Sequence, residues 1–201
     1  MSKRIITISR QFGSGGHSIG KMVAGRLGIP CYDNELVTRM AEESGFDASF
    51  IRENGEKVST YTGADLFYGM GISAGPTFST LSLYDRLYIT QHNIIRDIAE
   101  KEECVIVGRC SDYILSERDD CVHVFIYADN DYRAERILRL YGDNGVKIEK
   151  RMKDKDSQRI SYYEHYTNRD WGNPLNYHLC LNSGFIGDEL CAEMIIKAAQ
   201  K

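Results

Sequence analysis

No apolar run in the sequence is long enough to span a bilayer, and the N-terminus lacks a hydrophobic stretch of the secretory kind, so a cytoplasmic location is expected. Basic residues are not in excess either. With 25 Lys and Arg against 29 Asp and Glu, the formal net charge is −4. That balance gives no general attraction to nucleic acid or to an anionic membrane, and any anion site must be made locally. The 6 cysteines, at 31, 104, 110, 121, 180 and 191, form no C-x-x-C pair; several sit inside apolar runs and read as buried thiols rather than as zinc ligands or disulfides. The 5 histidines, at 17, 92, 123, 165 and 178, show no metal-type spacing, so no protein-built metal site is expected. There is no internal repeat, low-complexity tract or Pro/Ser-rich linker. A chain of 201 residues with 42% hydrophobic content suits one globular unit over 1–201.

What is present alternates between short apolar runs and helical stripes. Ile5 to Ile8, Cys31-Tyr32, Cys104 to Val107, Cys121 to Tyr127 and Tyr177 to Leu181 read as strands, and continuous apolar runs of this length fit strands buried on both faces of a parallel sheet. Between them, helical periodicity is expected over about 18–27 ending at Gly28, from Asp33 or Asn34 as cap to Gly45, over 82–103, from an Asp129-Asn130-Asp131 cap cluster through Tyr141, and over 186–200. On the 82–103 helix the polar face is Arg86, Gln91, Arg96 and Glu100. This order argues for an α/β sheet built from right-handed crossovers. Residues 46–80, broken by glycines and carrying aromatics, read as an insertion that serves either as a cover over a site or as a homo-oligomer contact. Residues 142–170 are the most charged part, largely a solvated helical face.

The feature with most chemical content is the segment Ile5 to Lys21: an apolar run, a glycine-rich turn, then a helical segment. Gly13, Gly15 and Gly16 allow consecutive backbone N–H groups to converge on an anion at the positive end of the next helix. The usual phosphate loop, G-x-x-x-x-G-K-[ST], adds a lysine for the β/γ-phosphates and a hydroxyl for Mg²⁺. Aligning Gly15 with the glycine before that lysine puts Gly16 at the lysine position and Arg10 at the first glycine position, with Ser18 as the nearest hydroxyl, one residue late. An ordinary strand-to-helix connection has the same composition, and the turn alone does not separate the two.

In an open parallel sheet, ligands sit at the carboxyl ends of strands. The glycine turn, Asp33 and Gly108-Arg109 all occupy such ends, and Asp156 and Arg159 are spaced to share a helical face. Asp33 reads as a helix cap first and as a metal-water or acceptor contact second. Trp171 reads as a packing anchor.

These residues, in this order, resemble the cytidylate kinases among the nucleoside-monophosphate kinases, most closely the divergent cytidylate kinase-like group, over nearly the whole chain. The resemblance runs through Phe12-Gly13-Ser14-Gly15-Gly16, Val107-Gly108-Arg109, the run Val124 to Asp129 with Arg133, Arg136 and Arg139 after it, Lys155 to Arg159, and Tyr177 to Ser183. It implies a P-loop kinase-type three-layer α/β/α fold with a roughly five-stranded parallel sheet and a helical lid over 142–172. It also implies ATP-dependent phosphoryl transfer to a nucleoside monophosphate or similar small acceptor, with ATP and Mg²⁺ as cofactors and a small-molecule nucleotide as partner. By the same resemblance Arg10, Gly13, Ser14, Gly15, Gly16, His17 and Ser18 hold ATP, with Ser18 meeting a metal through Mg·ATP only. Asp33 and Arg109 hold the acceptor, and Arg109, Arg159 and Asp156 carry the catalytic roles, Asp156 as the partner of Arg159 or as an acceptor contact. Gly16 stands where the true cytidylate kinases have a lysine, and Arg10, at the loop entrance, is the better stand-in, ahead of Lys21. The alternative is a nucleotide-binding module that has lost turnover and acts through a partner.

Overall fold

The computed structural model describes residues 5–45, 47–55, 57–58 and 82–200. Most of the 46–80 insertion lies outside the described residues. Five parallel strands, β1 (Ile5–Arg10), β2 (Cys31–Tyr32), β3 (Cys104–Val107), β4 (Cys121–Tyr127) and β5 (Leu179–Asn182), form one sheet in the order β2-β3-β1-β4-β5. The first strand is central because its β-branched run, buried from Ile5 to Ser9, has apolar side chains for both faces. It pairs with β3 and β4 so that Ile5 lies beside both Cys104 and Cys121. All six cysteines are free thiols, and burial pushes Cys104 and Cys121 up to about 12.

Eight helices are described: α1 (Gly16–Leu27), α2 (Asn34–Ser44), α3 (Ala48–Asn54), α4 (Leu83–Lys101), α5 (Ser111–Ile114), α6 (Asn130–Tyr141), α7 (Ile148–Thr167) and α8 (Ser183–Ala199). Ile6 and Ile8 point to one side of the sheet, into a core with Ile19 and Val23 of α1 and Ile195 of α8. Ile5 points to the other, into a core with Leu36 and Met40 of α2 and Ile95 and Ile98 of α4. The result is the expected three-layer arrangement, and in α1, α4 and α8 the buried residues recur at i, i+4 spacing.

Of the element boundaries that differ from expectation, three starts have local reasons. Helix α1 starts two residues early, at Gly16, because Gly15 takes a left-handed φ of 88° and turns the chain directly into the helix. The last strand begins at Leu179 rather than Tyr177, since Pro174–Asn176 forms a 3-10 turn that ends at Tyr177. Helix α8 begins at Ser183, where the Asn182 side chain accepts from Gly184 N and Phe185 N, and it is broken by Gly187 at φ 80°.

Sheet and pH are linked through His123. Its Nδ1 lies 2.8 Å from Thr7 Oγ1, its backbone N donates to His178 Nδ1 at 3.0 Å, and the two rings stack at 5.0 Å. Burial, then His178 and Arg169, push its pKa down to about 4 from 6.5. The unfolded chain therefore binds more protons than the folded chain between those values. Stability is complete above about pH 6.5 and is lost as the pH falls toward 4, with a slope of up to about 1.4 kcal/mol per pH unit. Buried Asp112, whose carboxyl is pushed up, acts in the opposite sense at low pH, so the comparison that isolates the imidazole is wild type against His123→Gln. Urea midpoints at pH 7 and pH 5 should fall further in the wild type. Equal losses would remove His123 as the cause.

Candidate functional site

Every element that faces the site does so through the carboxyl end of the sheet. The first strand runs straight into the loop Gln11 to Gly15, which is held from beneath. Ser14 is fully buried and its hydroxyl donates to Gln11 O and to Ile126 O, while Ser183 Oγ donates to Ser14 O at 2.5 Å. The Ser14 hydroxyl thus serves the loop's own architecture, and the groups it leaves for a ligand are those of the backbone. Gly13 and Gly15 take φ of 82° and 88°, and both are closely approached. A Cβ on Gly13 would lie 2.8 Å from Ile137, and one on Gly15 would lie 2.9 Å from the Arg136 guanidinium carbon. Arg136 in turn pairs with Asp188 at 2.7 Å, so α6 and α8 are clamped together behind the loop.

In front of the loop is a cleft of about 400 Å³, lined by Gly13, Gly15, Gly16, His17, Ser18, Arg10, Asp33 and Arg159 among others, large enough for part of a nucleotide. A smaller cavity adjoins it, lined by Ser9, Gly108, Arg109, Tyr162, Tyr163 and Trp171 among others, and Arg10 and Arg159 border both. Seven of the eight residues expected to hold a nucleotide or its acceptor on the loop side are therefore brought to one place; Ser14 alone turns inward.

Asp33 departs from its expected role. It occupies the N-cap position of α2, yet its side chain makes no cap bond. Its carboxylate instead faces the cleft, with Oδ2 2.6 Å from His17 Nδ1 and Oδ1 3.9 Å from Arg10 Nη2. With the Arg10 guanidinium and the His17 ring beside it, the carboxylate is directed to the cleft and not to the α2 amides.

Arg109 follows Gly108 at the end of β3 in an unusual backbone. Gly108, Arg109 and Cys110 have φ of 76°, 63° and 54°, and left-handed non-glycine residues in succession mark a site where the surroundings over-determine the chain. Gln91 supplies part of that constraint. It is expected from the sequence on the polar face of α4 with Arg86, Arg96 and Glu100; those three are exposed, but Gln91 is fully buried between Leu87 and Ile95, and its Nε2 donates to Arg109 O at 2.9 Å and to Tyr162 OH at 3.1 Å. Arg109 is 9% exposed, and Gly55 packs so closely that a Cβ there would come 2.7 Å from Arg109 Nη1.

The lid-like region is one long helix, α7, docked on the loop. Arg159 Nη1 donates to Arg10 O at 3.1 Å, and Asp156 Oδ1 accepts from Phe12 N at 2.8 Å. The other oxygen of Asp156 is bonded to Arg133, whose Nε donates to Phe12 O at 2.8 Å. Arg159 lies farther, at 3.8 Å from Asp156. Asp156 thus ties α7, α6 and the loop together, with Arg133 as its main partner rather than Arg159. Deeper, Tyr163 OH donates to Asp112 Oδ2 at 2.6 Å and Ser9 Oγ to Oδ1 at 3.2 Å. Burial pushes the Asp112 carboxyl up, and burial followed by Asp112 pushes the Tyr163 phenol up. Asp112 and Asp188 carry no signal in the linear sequence, since their partners are 51 and 52 residues away; Gln91 carries one, its i±4 spacing from Leu87 and Ile95. Trp171 is a packing residue, edge-on to Phe125 at 5.2 Å, and borders the smaller cavity.

Comparison with known proteins bears on this geometry. The sequence matches the cytidylate kinase-like family over residues 5–184. It is 29% identical to a cytidylate kinase of Archaeoglobus fulgidus over 97% of this chain and 94% of that protein. The fold is similar to that of an uncharacterized protein from Eubacterium ventriosum, with a TM-score of 0.74 and 28% identity over 99% of both chains. It is also similar to a shikimate kinase from Acinetobacter baumannii, with a TM-score of 0.54 and 12% identity over 99% of this chain and 94% of that one, a likeness of fold alone. Since the match takes in every strand and reaches past the glycine loop, the Arg109 turn and α7 to Gly184, the chain belongs to the cytidylate kinase-like family.

Proposed function

We propose that the chain transfers the γ-phosphoryl group of ATP to a nucleoside monophosphate of the cytidylate type, with the glycine loop taking the donor phosphates and Arg109 the acceptor phosphate. The observation that carries this reading is the convergence of Arg10, Arg109 and Arg159 on two adjoining cavities at the carboxyl ends of the central strands. Three guanidinium groups around one gap, in a chain of net charge −4, are what a site for two phosphorylated ligands requires. Transfer of a phosphoryl group needs positioning and charge neutralisation more than covalent help.

The residues divide the work by position. Backbone N–H groups at the N-terminus of α1 face the donor phosphates. Ser18 and Asp33 border the same cleft and offer the hard oxygen ligands that suit Mg²⁺. When bound with ATP, the metal neutralises phosphate charge. Arg109 grips the acceptor phosphate through a planar fork that a lysine does not reproduce. Arg159 borders both cavities from α7, and α7 lying against the loop keeps water away from the gap, which limits hydrolysis of ATP.

The test is ADP release from Mg·ATP with a panel of nucleoside monophosphates. Acceptor-dependent turnover is expected, with cytidylate among the better acceptors. If Mg·ATP binds by calorimetry and no acceptor raises ADP release above background, the kinase reading fails, and a nucleotide-binding module without turnover takes its place.

A further inference from the structure

We infer that Arg10 is the phosphate cation of this loop, reaching from the end of β1 the place that a lysine at position 16 serves in the usual loop, and that Gly16 and Gly108 are glycines because they admit it. The inference rests on the phosphoryl-transfer reading for its ligand, though its geometry stands by itself. A Cβ on Gly16 would lie 2.5 Å from Arg10 Cβ and 2.8 Å from Arg10 Cγ. The Cβ is fixed by the β1 backbone, so no rotamer of Arg10 relieves its contact. A side chain at position 16 and one at position 10 exclude each other.

The far end of Arg10 is provided for as well. Its guanidinium lies on Gly108, where a Cβ would come 1.8 Å from Nη1 and 2.9 Å from Cζ. Asp33 Oδ1, 3.9 Å from Nη2, draws the group toward the β2 side of the cleft, and His17 stands on the other oxygen of the same carboxylate. Arg10 therefore crosses from one glycine to the other and ends between the donor loop and the Arg109 turn, bordering both cavities. The lysine missing from the loop motif is an exchange of position, in which a planar fork replaces a point charge; the loop has not lost its cation.

An exchange can be reversed, and that gives the test. Affinity for a non-hydrolysable Mg·ATP analogue is measured by calorimetry, with a thermal melt for each variant. Arg10→Gly, which removes the blocking Cβ with the charge, should weaken binding by about 30-fold, the scale of lost charge-assisted hydrogen bonds. Gly16→Lys alone restores the usual motif on paper, yet it should weaken binding at least as much, because its stem meets Arg10. The double variant Arg10→Gly/Gly16→Lys should recover most of the loss. Arg10→Gly binding as tightly as wild type, or a cooperatively melting double variant no better than Arg10→Gly, would overturn the inference. If the double variant does not fold, a cycle with Gly108→Ala decides: it should weaken binding in the wild type and have no further effect in Arg10→Gly, and equal effects in both backgrounds count against Arg10. A wild type that binds the analogue through Arg10 but serves no acceptor sinks the kinase reading and leaves this inference standing. A wild type that does not bind the analogue sinks both.

Discussion

Arg109→Lys is expected to lower acceptor-dependent ADP release by about 100-fold, the scale on which preorganised charge contacts act in transition states, while the affinity for a Mg·ATP analogue stays at the wild-type value. Charge is conserved in this substitution, so the effect isolates geometry. The Arg109 backbone is held left-handed between Gly108 and Cys110, its carbonyl is held by Gln91, and its guanidinium is backed by Gly55. Such a setting fixes the plane of the fork in advance, and a bidentate pair with a phosphate draws on that orientation. A lysine ammonium on a flexible stem has three donors at one point and spans only one phosphate oxygen well. Measured kinetics should show the loss in kcat/KM for the acceptor. A lysine variant within a few fold of wild type would mean that Arg109 supplies only charge, and a matched loss of ATP affinity would place it on the donor side instead.

The strands were legible because each is a short apolar run, and a run that length between helical stripes has few other homes. Their carboxyl ends were legible with them, which is why Arg10, Asp33 and Arg109 could be placed at one edge from the sequence. What could not be placed are contacts that depend on which layer covers which. Gln91 lies at i+4 from Leu87 and i−4 from Ile95, on the buried stripe of its helix, and only the polarity of its side chain assigns it to solvent; the partner that its amide meets there, Tyr162, belongs to a helix 71 residues later. Asp33 has the chemistry of a cap and the position of one, and only the distance to His17 and Arg10 shows which of its options is taken. Gly16 shows the limit most sharply. In the sequence it is a missing lysine, whereas in space it is room for a side chain that starts six residues earlier.

Asp156 carries the largest expected effect on stability. Removing its side chain by Asp156→Ala leaves Arg133, whose side chain is 5% exposed, with its carboxylate partner gone, and an uncompensated buried charge of this kind costs about 3 kcal/mol or more. For a chain of this size that corresponds to a fall in melting temperature of about 10 °C. Asp154, two residues earlier on the same helix, is the internal control. It pairs with Lys150 at 2.7 Å but both side chains are more than half exposed, and Asp154→Ala should change stability by less than about 1 kcal/mol. The Asp156 variant should also weaken binding of the Mg·ATP analogue, because Phe12 N loses its acceptor and the entrance of the loop loses its tie to α7. Asp156→Asn separates the two effects, since an amide oxygen still accepts from Phe12 N while the charge on Arg133 stays unmatched: binding should recover more than stability does. If Asp156→Ala melts with the wild type, the Arg133 pair is not holding α7 against the loop, and the docked position of Arg159 must rest on its own bond to Arg10 O.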